Sequence, residues 1–310
     1  MRDLSILIPS RNEEWLAKTV EDILSNIEAD TEIIICLDGA WAYPPIEDNE
    51  RVVILHVPES IGQRAGQNRC ARMSTAKYVM KVDAHCAFDK GFDRKMIEAF
   101  DKIGEDNITM VPVMRNLHVF DWECLTCGGT WYMGPSTGKC QVEPPIHGKC
   151  EGTTFKRNIV WKPRKGTHNN SYRFNRQLEF KYFKEWKGRH DGRLTETMSL
   201  QGSCFMARRE NYWKYELCDE SWGSWGGQGA EVAIKTWLSG GRVIANKNTW
   251  YAHMFRTRPG FSHPYKNPGA EQQKAKGQLR EIFLNDAWPK AIHTLDWLVE
   301  KFKPVPDWHS

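Results

Sequence analysis

Tyr78-Val79-Met80-Lys81-Val82 runs directly into Asp83-Ala84-His85. The first five residues read as a short buried strand and the next three as its carboxyl-terminal end. In an extended backbone, side chains two positions apart point the same way, so Asp83 and His85 share one side. A carboxylate beside an imidazole can hold a divalent ion and leave positions open for phosphate oxygens. The imidazole favours Mn²⁺ over Mg²⁺, which prefers an all-oxygen shell. Alone, the triplet also reads as a strand end with a capping aspartate, because Asp-x-His arises often by chance.

Upstream, the same kind of signal repeats. Leu4–Ile8 is an apolar run ending at Pro9, and Glu13 to Ile27 carries Leu16, Val20, Ile23, Leu24 and Ile27 at helical spacing. Glu32–Leu37 is a buried-type strand closed by Asp38-Gly39, and Val52–Val57 is another. Gly62 to Ser74 reads as a helix. Strands alternating with helices argue an α/β fold, a mostly parallel sheet with helices on both faces. Ligands in such sheets bind at the carboxyl ends of strands, where Asp38, Asp83 and His85 all fall.

Downstream, the pattern changes after Asp106. Residues 116–155 are rich in Cys, Gly and Pro, and residues 156–200 are basic and aromatic. Regular signals return from Gln201. Ala230 to Leu238 reads as a helix, Arg242 to Ala245 and Thr249 to Ala252 as strands, and Ala270 to Leu284 and Lys290 to Phe302 as helices. The chain therefore divides into 1–115, 116–155, 156–200, 201–269 and 270–310.

At 310 residues, with 26% charged and 40% hydrophobic positions, the composition is globular and excludes a disordered chain. No apolar run has the ~18 residues of a membrane span. The N-terminus enters a strand at once, with no room for a leader or an anchor, so a cytoplasmic protein without membrane contact is expected. Net charge is +4, but residues 156–193 hold 12 Lys/Arg against 3 Asp/Glu, a local +9 against −5 for the rest. Trp161, Tyr172, Phe174, Phe180, Tyr182, Phe183 and Trp186 interleave with these cations.

Of nine cysteines, Cys124, Cys127, Cys140 and Cys150 are clustered. In a chain without an export signal, such a cluster suggests metal before disulfides. Cys124-x2-Cys127 followed by Gly128-Gly129 resembles a zinc knuckle, and two later thiolates would close a tetrahedron. His147 or His118 could replace one cysteine, and free thiols or disulfides are the alternatives. A zinc here would be structural, replacing the core that a Gly/Pro-rich stretch cannot build.

Several motifs together resemble a known family. Ser5-Ile6-Leu7-Ile8-Pro9-Ser10-Arg11-Asn12-Glu13, Glu32–Gly39 and Asn68 resemble family 2-type glycosyltransferases of the GT-A fold. The later half is similar to the polypeptide N-acetylgalactosaminyltransferases. Trp225-Gly226-Gly227-Gln228-Gly229-Ala230-Glu231 looks like their Trp-Gly-Gly-Glu-Asn-x-Glu. His253-Met254-Phe255-Arg256 and His263-Pro264-Tyr265-Lys266-Asn267-Pro268-Gly269 look like their His-Val-Phe-Arg and His-Pro-Tyr-x-x-Pro-Gly. The resemblance covers about 1–105 and 200–285 and leaves 116–195 outside.

The resemblance implies a GT-A mixed sheet flanked by helices, carrying an inserted Cys-rich zinc module. It implies transfer of a sugar from a nucleotide sugar, such as a UDP-sugar, with Mn²⁺ or Mg²⁺. Asp83, His85 and His253 would ligate the ion, and Asp83, His85, Trp225 and Glu231 would form the catalytic group. Pro9, Arg11, Glu13, Asp38, Asn68, Arg256, His263 and Tyr265 would bind the donor, Asp38 meeting the nucleobase. Inverting members of the broader family carry a Glu-Asp pair where this chain has Gln228-Gly229. That absence favours a retaining reaction, in which the departing phosphate takes the acceptor's proton. The basic stretch, with Lys162, Arg164 and Lys165, suggests a polynucleotide acceptor such as a hydroxymethylated base in DNA. A protein Ser/Thr or a glycan is the alternative acceptor. A zinc-dependent nucleic-acid-binding protein on an inactive transferase fold is the alternative of another class.

Overall fold

A computed structural model describes residues 2–134, 138–142, 150–256 and 268–308. The chain opens with β1 (Leu4–Ser10), α1 (Leu16–Asn26), β2 (Thr31–Asp38), β3 (Val52–Val57), α2 (Gln63–Met73), β4 (Tyr78–Val82), β5 (Cys86–Phe88) and α3 (Phe92–Ile103). Then come β6 (Ile108–Cys124), β7 (Thr130–Tyr132), β8 (Phe155–Pro163), β9 (Tyr172–Phe174), β10 (Phe180–Tyr182) and β11 (Leu194–Glu196). The chain ends with β12 (Cys204–Arg208), α4 (Arg209–Lys214), α5 (Gln228–Leu238), β13 (Arg242–His253), α6 (Pro268–Phe283) and α7 (Leu295–Lys301).

The main sheet runs β11-β13-β6-β12-β4-β1-β2-β3. Strands β3, β2, β1 and β4 run parallel to one another, and β2, β1 and β4 have the near-continuous apolar sequences of strands covered on both faces. β12 then inserts antiparallel between β4 and β6, so the sheet is mixed where strand–helix alternation alone points to a mostly parallel one. β1 is buried along its whole length. Ile6, Ile8, Ile33, Ile35, Met80 and Val82 share one core with Val232 and Ile234 of α5.

Two elements depart from the sequence pattern. The two short strands expected between 242 and 252 are one strand, β13, with a bulge between Asn246 and Trp250. The helix expected from Lys290 begins only at Leu295, where the Thr294 side chain accepts from the Trp297 N–H at 3.2 Å. Before that cap the Ile292 N–H is drawn to the Leu238 carbonyl at 2.7 Å, outside any helix.

β6 belongs to two structures. Its first half lies between β12 and β13, with Asn116 opposite His253. Its second half is the spine of a three-stranded antiparallel arm with β7 and β8, ending at Cys124. The expected boundary between 115 and 116 falls inside this strand. The arm has its own small core, in which Leu117, Val119, Phe120 and Met133 pack with Trp15 and Met254.

Candidate active site

β4 delivers Asp83 and His85, and the end of β13 delivers His253 beside β5. One ligand atom from each of the three lies within 4.8 Å of the others. His85 Nε2 is 3.0 Å from His253 Nε2, and His253 Nε2 is 3.2 Å from Asp83 Oδ2. Burial pushes the His253 imidazole down to about 4, helped by neighbouring His85 and Lys81, although the bond to Asp83 opposes this. His253 is therefore neutral near pH 7, the form that ligates. Its Nδ1 is buried without a partner. Burial raises the Asp83 carboxyl, but Lys81 and the two histidines outweigh it and hold it far below the usual range. Two imidazole nitrogens and one carboxylate oxygen converging on a point is a donor set that fits Mn²⁺.

The turn after β1 supplies the next layer. Asn12 takes a left-handed backbone (φ 47°), a conformation Asn tolerates, and Glu13 is buried behind it. Glu13 Oε2 is 3.1 Å from His85 Nδ1, and Arg256 Nη2 is 2.5 and 2.6 Å from the two Glu13 oxygens. Burial would raise the Glu13 carboxyl, but His85 and Arg256 together hold it below the ordinary value. Arg11 Nη1 donates to the Asp38 carbonyl at 2.8 Å. Gly39, at φ 73°, leaves room for that guanidinium, which a Cβ would overlap.

These groups line a cleft of about 640 Å³ together with Pro9, Trp225 and Gln228. Lys81 also lines it, buried at 2% exposure, donating to Asp83 Oδ1 and to the Gly202 carbonyl at 2.7 Å. Sequence reasoning missed this residue. The signal was present, because Lys81 shares the Asp83/His85 side of the strand and is the one charge in β4. Glu179 and Lys276 were missed as well, and pair at 3.1 Å along the cleft.

Three expected site residues are occupied elsewhere. The Asp38 carboxylate accepts from Ser60 Oγ at 2.9 Å and from the N–H groups of Ile61 and Gly62 at 2.6 and 3.0 Å. It holds the turn before α2 rather than facing the cleft. Asn68 donates to the Cys218 carbonyl at 2.9 Å and to Glu220 at 2.8 Å, tying α2 to the segment before α5. Glu231, fully buried, bonds Arg64 and, at 2.7 Å, Lys235, and accepts from the Asp219 N–H at 3.0 Å. It braces α5 against α2. His263, Tyr265 and His147 lie outside the described residues.

The four cysteines of the arm form a second cluster, with their sulfurs all within 4.8 Å of one another. Cys124 and Cys150 are 3.8 Å apart, as are Cys127 and Cys140, and all are free thiols. A disulfide needs about 2.05 Å. A tetrahedron with Zn–S bonds of about 2.3 Å has edges of about 3.8 Å, so the thiols fit zinc. Burial alone would push the Cys124 thiol up, but the backbone N–H groups of Cys127 and Thr126 bring it down to about 6. His118 instead bonds Asp121 at 2.7 Å.

The basic stretch is less open than its sequence suggests. Tyr172, Phe174 and Phe183 are inside the main core, with Phe180 and Trp186 packed on it. Trp161 donates to Asp22 at 3.0 Å. These rings are therefore not open to stack on bases, although Tyr182 beside them is 40% exposed. Lys162, Arg164 and Lys165 are exposed at the end of β8, with the Arg164 guanidinium 4.9 Å from the Tyr132 ring. No helix among the described residues is long and apolar enough to cross a membrane.

Residues 5–162 match the sequence profile of glycosyl transferase family 2. The chain is 23% identical over 316 residues to the Drosophila melanogaster protein named "Putative polypeptide N-acetylgalactosaminyltransferase 13", covering 96% of this chain and 48% of that one. It is 23% identical over 295 residues to mouse polypeptide N-acetylgalactosaminyltransferase 4, covering 91% and 45%. The chain thus spans about half the length of these relatives. The crystal structure of GalNAc-T7 with UDP, GalNAc and Mn²⁺ superposes with a TM-score of 0.62 at 16% identity, covering 92% of this chain and 49% of that one. At that identity the likeness speaks for the fold, and the mixed, helix-flanked sheet is the GT-A arrangement that the motifs imply.

Proposed function

The chain belongs to glycosyl transferase family 2, and from that premise we propose that it moves a sugar from a UDP-sugar to a hydroxyl acceptor in a reaction dependent on a divalent metal. The observation that carries this reading is the convergence of Asp83, His85 and His253 in the cleft. Those three residues would hold Mn²⁺, which when bound neutralises the diphosphate and eases its departure. Arg256 brings a guanidinium to the same cleft, where it can offset charge developing on the leaving group. Trp225 would form a wall of the sugar pocket.

A retaining course is the better supported. Among described residues lining the cleft, the carboxylates are Glu13, Asp83 and Glu179. Glu13 and Asp83 are committed to the metal site, and Glu179 is paired with Lys276. With none of these described carboxylates free to act as base, the bond from the anomeric carbon to phosphate oxygen breaks as the acceptor oxygen bonds the same face. The acceptor's proton passes to the departing diphosphate.

A Ser or Thr hydroxyl of a polypeptide is the acceptor that the named relatives support. The exposed Lys162, Arg164 and Lys165 favour a polynucleotide as the second reading. Cys124, Cys127, Cys140 and Cys150 would hold a structural zinc that fixes the arm. Incubation with a panel of UDP-sugars and Mn²⁺, with and without Ser/Thr peptides, tests the function. Mn²⁺-dependent UDP release, raised by the peptide, is expected. No release from any donor, with no donor-induced rise in melting temperature, would overturn it.

A further inference from the structure

The two histidines of the metal site are not held alike. His85 has Nδ1 3.1 Å from Glu13 Oε2, whereas His253 Nδ1 is buried without a partner. A carboxylate only accepts, so His85 Nδ1 carries the ring proton and Nε2 keeps its lone pair. That nitrogen faces His253 Nε2 at 3.0 Å and Asp83 Oδ2 at 4.0 Å. Glu13 is 7% exposed, and its other contact is Arg256, whose Nη2 spans both of its oxygens at 2.5 and 2.6 Å. The ring of His85 is thus set with its Nε2 lone pair toward the site before any ion arrives, whereas His253 bonds Asp83 Oδ2 through Nε2 itself, at 3.2 Å, and has nothing behind it at Nδ1.

We propose that Glu13 is a positioning residue, which fixes His85 as the preset metal ligand by holding its Nδ1 proton and ties that ligand to Arg256 through one shared carboxylate. The inference rests on the metal reading of Asp83, His85 and His253. A histidine oriented by a carboxylate loses metal affinity about ten- to a hundredfold when that partner is removed. Arg256 reaches Glu13 and not the imidazole, so its removal leaves the preset ring in place.

The full chain is titrated with Mn²⁺ alone, without nucleotide sugar, following the loss of the free-ion electron paramagnetic resonance signal. Glu13→Ala should raise the Mn²⁺ Kd about ten- to a hundredfold. Glu13→Gln, which keeps an oxygen acceptor, should recover most of the affinity, and Arg256→Ala should bind Mn²⁺ at least as well as wild type. Nitrogen-15 spectra of the metal-free protein should show His85 protonated at Nδ1 in wild type and released to the other tautomer in Glu13→Ala. If that variant does not fold, the wild-type tautomer still decides. Wild type that takes up no Mn²⁺ overturns the metal reading and this inference with it. Wild type that binds Mn²⁺, with an unchanged Kd in folded Glu13→Ala or with His85 Nδ1 unprotonated, overturns this inference alone.

Discussion

His85 and His253 meet through their Nε2 atoms at 3.0 Å, although 168 positions separate them. β13 and β5 pair at His253 and Cys86, so the sheet itself carries the two rings to one point. His85→Ala and His253→Ala should each lower transfer by more than about a hundredfold, since partners one step removed from a metal are already worth about ten- to a hundredfold. Circular dichroism and zinc content should stay at wild-type values. Near-normal turnover in both variants would remove the metal assignment.

Metal analysis of the purified protein should find one zinc per chain. Cys124→Ser with Cys127→Ser should lose it, and the melting temperature should fall because the arm keeps only its small aromatic core. Folded wild-type protein that is free of zinc contradicts the assignment.

The stereochemical course can be read from the product. Proton NMR of the first glycoside formed should show the anomeric configuration of the donor. Glu179→Gln should remain active, whereas loss of a true general base would cost about 10²–10⁴-fold. An inverted product together with an inactive Glu179→Gln would make Glu179 that base.

Glu231 sits between Arg64 and Lys235, all three buried. Removing one member of such a set leaves unpaired charge inside the protein, at a cost of about 3–5 kcal/mol. Glu231→Ala should therefore be seen first as a large fall in denaturation midpoint. A stable but inactive variant would return Glu231 to the chemistry.

On the polypeptide reading, affinity for duplex DNA should be weak and nearly flat in salt. Each phosphate neutralised would contribute roughly −0.9 to the log–log slope. A slope of about −3 or steeper, lost when Lys162, Arg164 and Lys165 are changed together to Glu, would shift the acceptor to a polynucleotide.

Much of the fold was legible because its strands are buried on both faces and read as unbroken apolar runs, as Leu4–Ile8 and Glu32–Leu37 do. That Asp83 and His85, and the four cysteines, lie close together was legible, because spacing along the chain brings them to one strand end and one turn. Asp38, Asn68 and Glu231 could not, because a motif gives residue type and order but not the direction of a side chain. A nearer partner claimed each of them: the donors of the 60–62 turn for Asp38, the Cys218 carbonyl that Asn68 donates to, and the Arg64 guanidinium for Glu231. Tyr172 and Phe174 were misleading for a different reason. Their alternation with Arg173 is the period of a strand with an apolar face, and the charge of the surrounding stretch hid it.

β6 is 17 residues long, a ribbon of roughly 55 Å at about 3.3 Å per residue. Its two ends answer to different masters, β13 at Asn116 and β8 at Cys124. A single deletion between these points, outside the register shift at His118 and Phe120, would leave the sheet in register but turn the later side chains to the opposite face. Asp121 would move into the place of Phe120, which is buried and now stacks on Trp15. Away from the register shift between His118 and Phe120, which can absorb one residue, the arm would shorten only in steps of two.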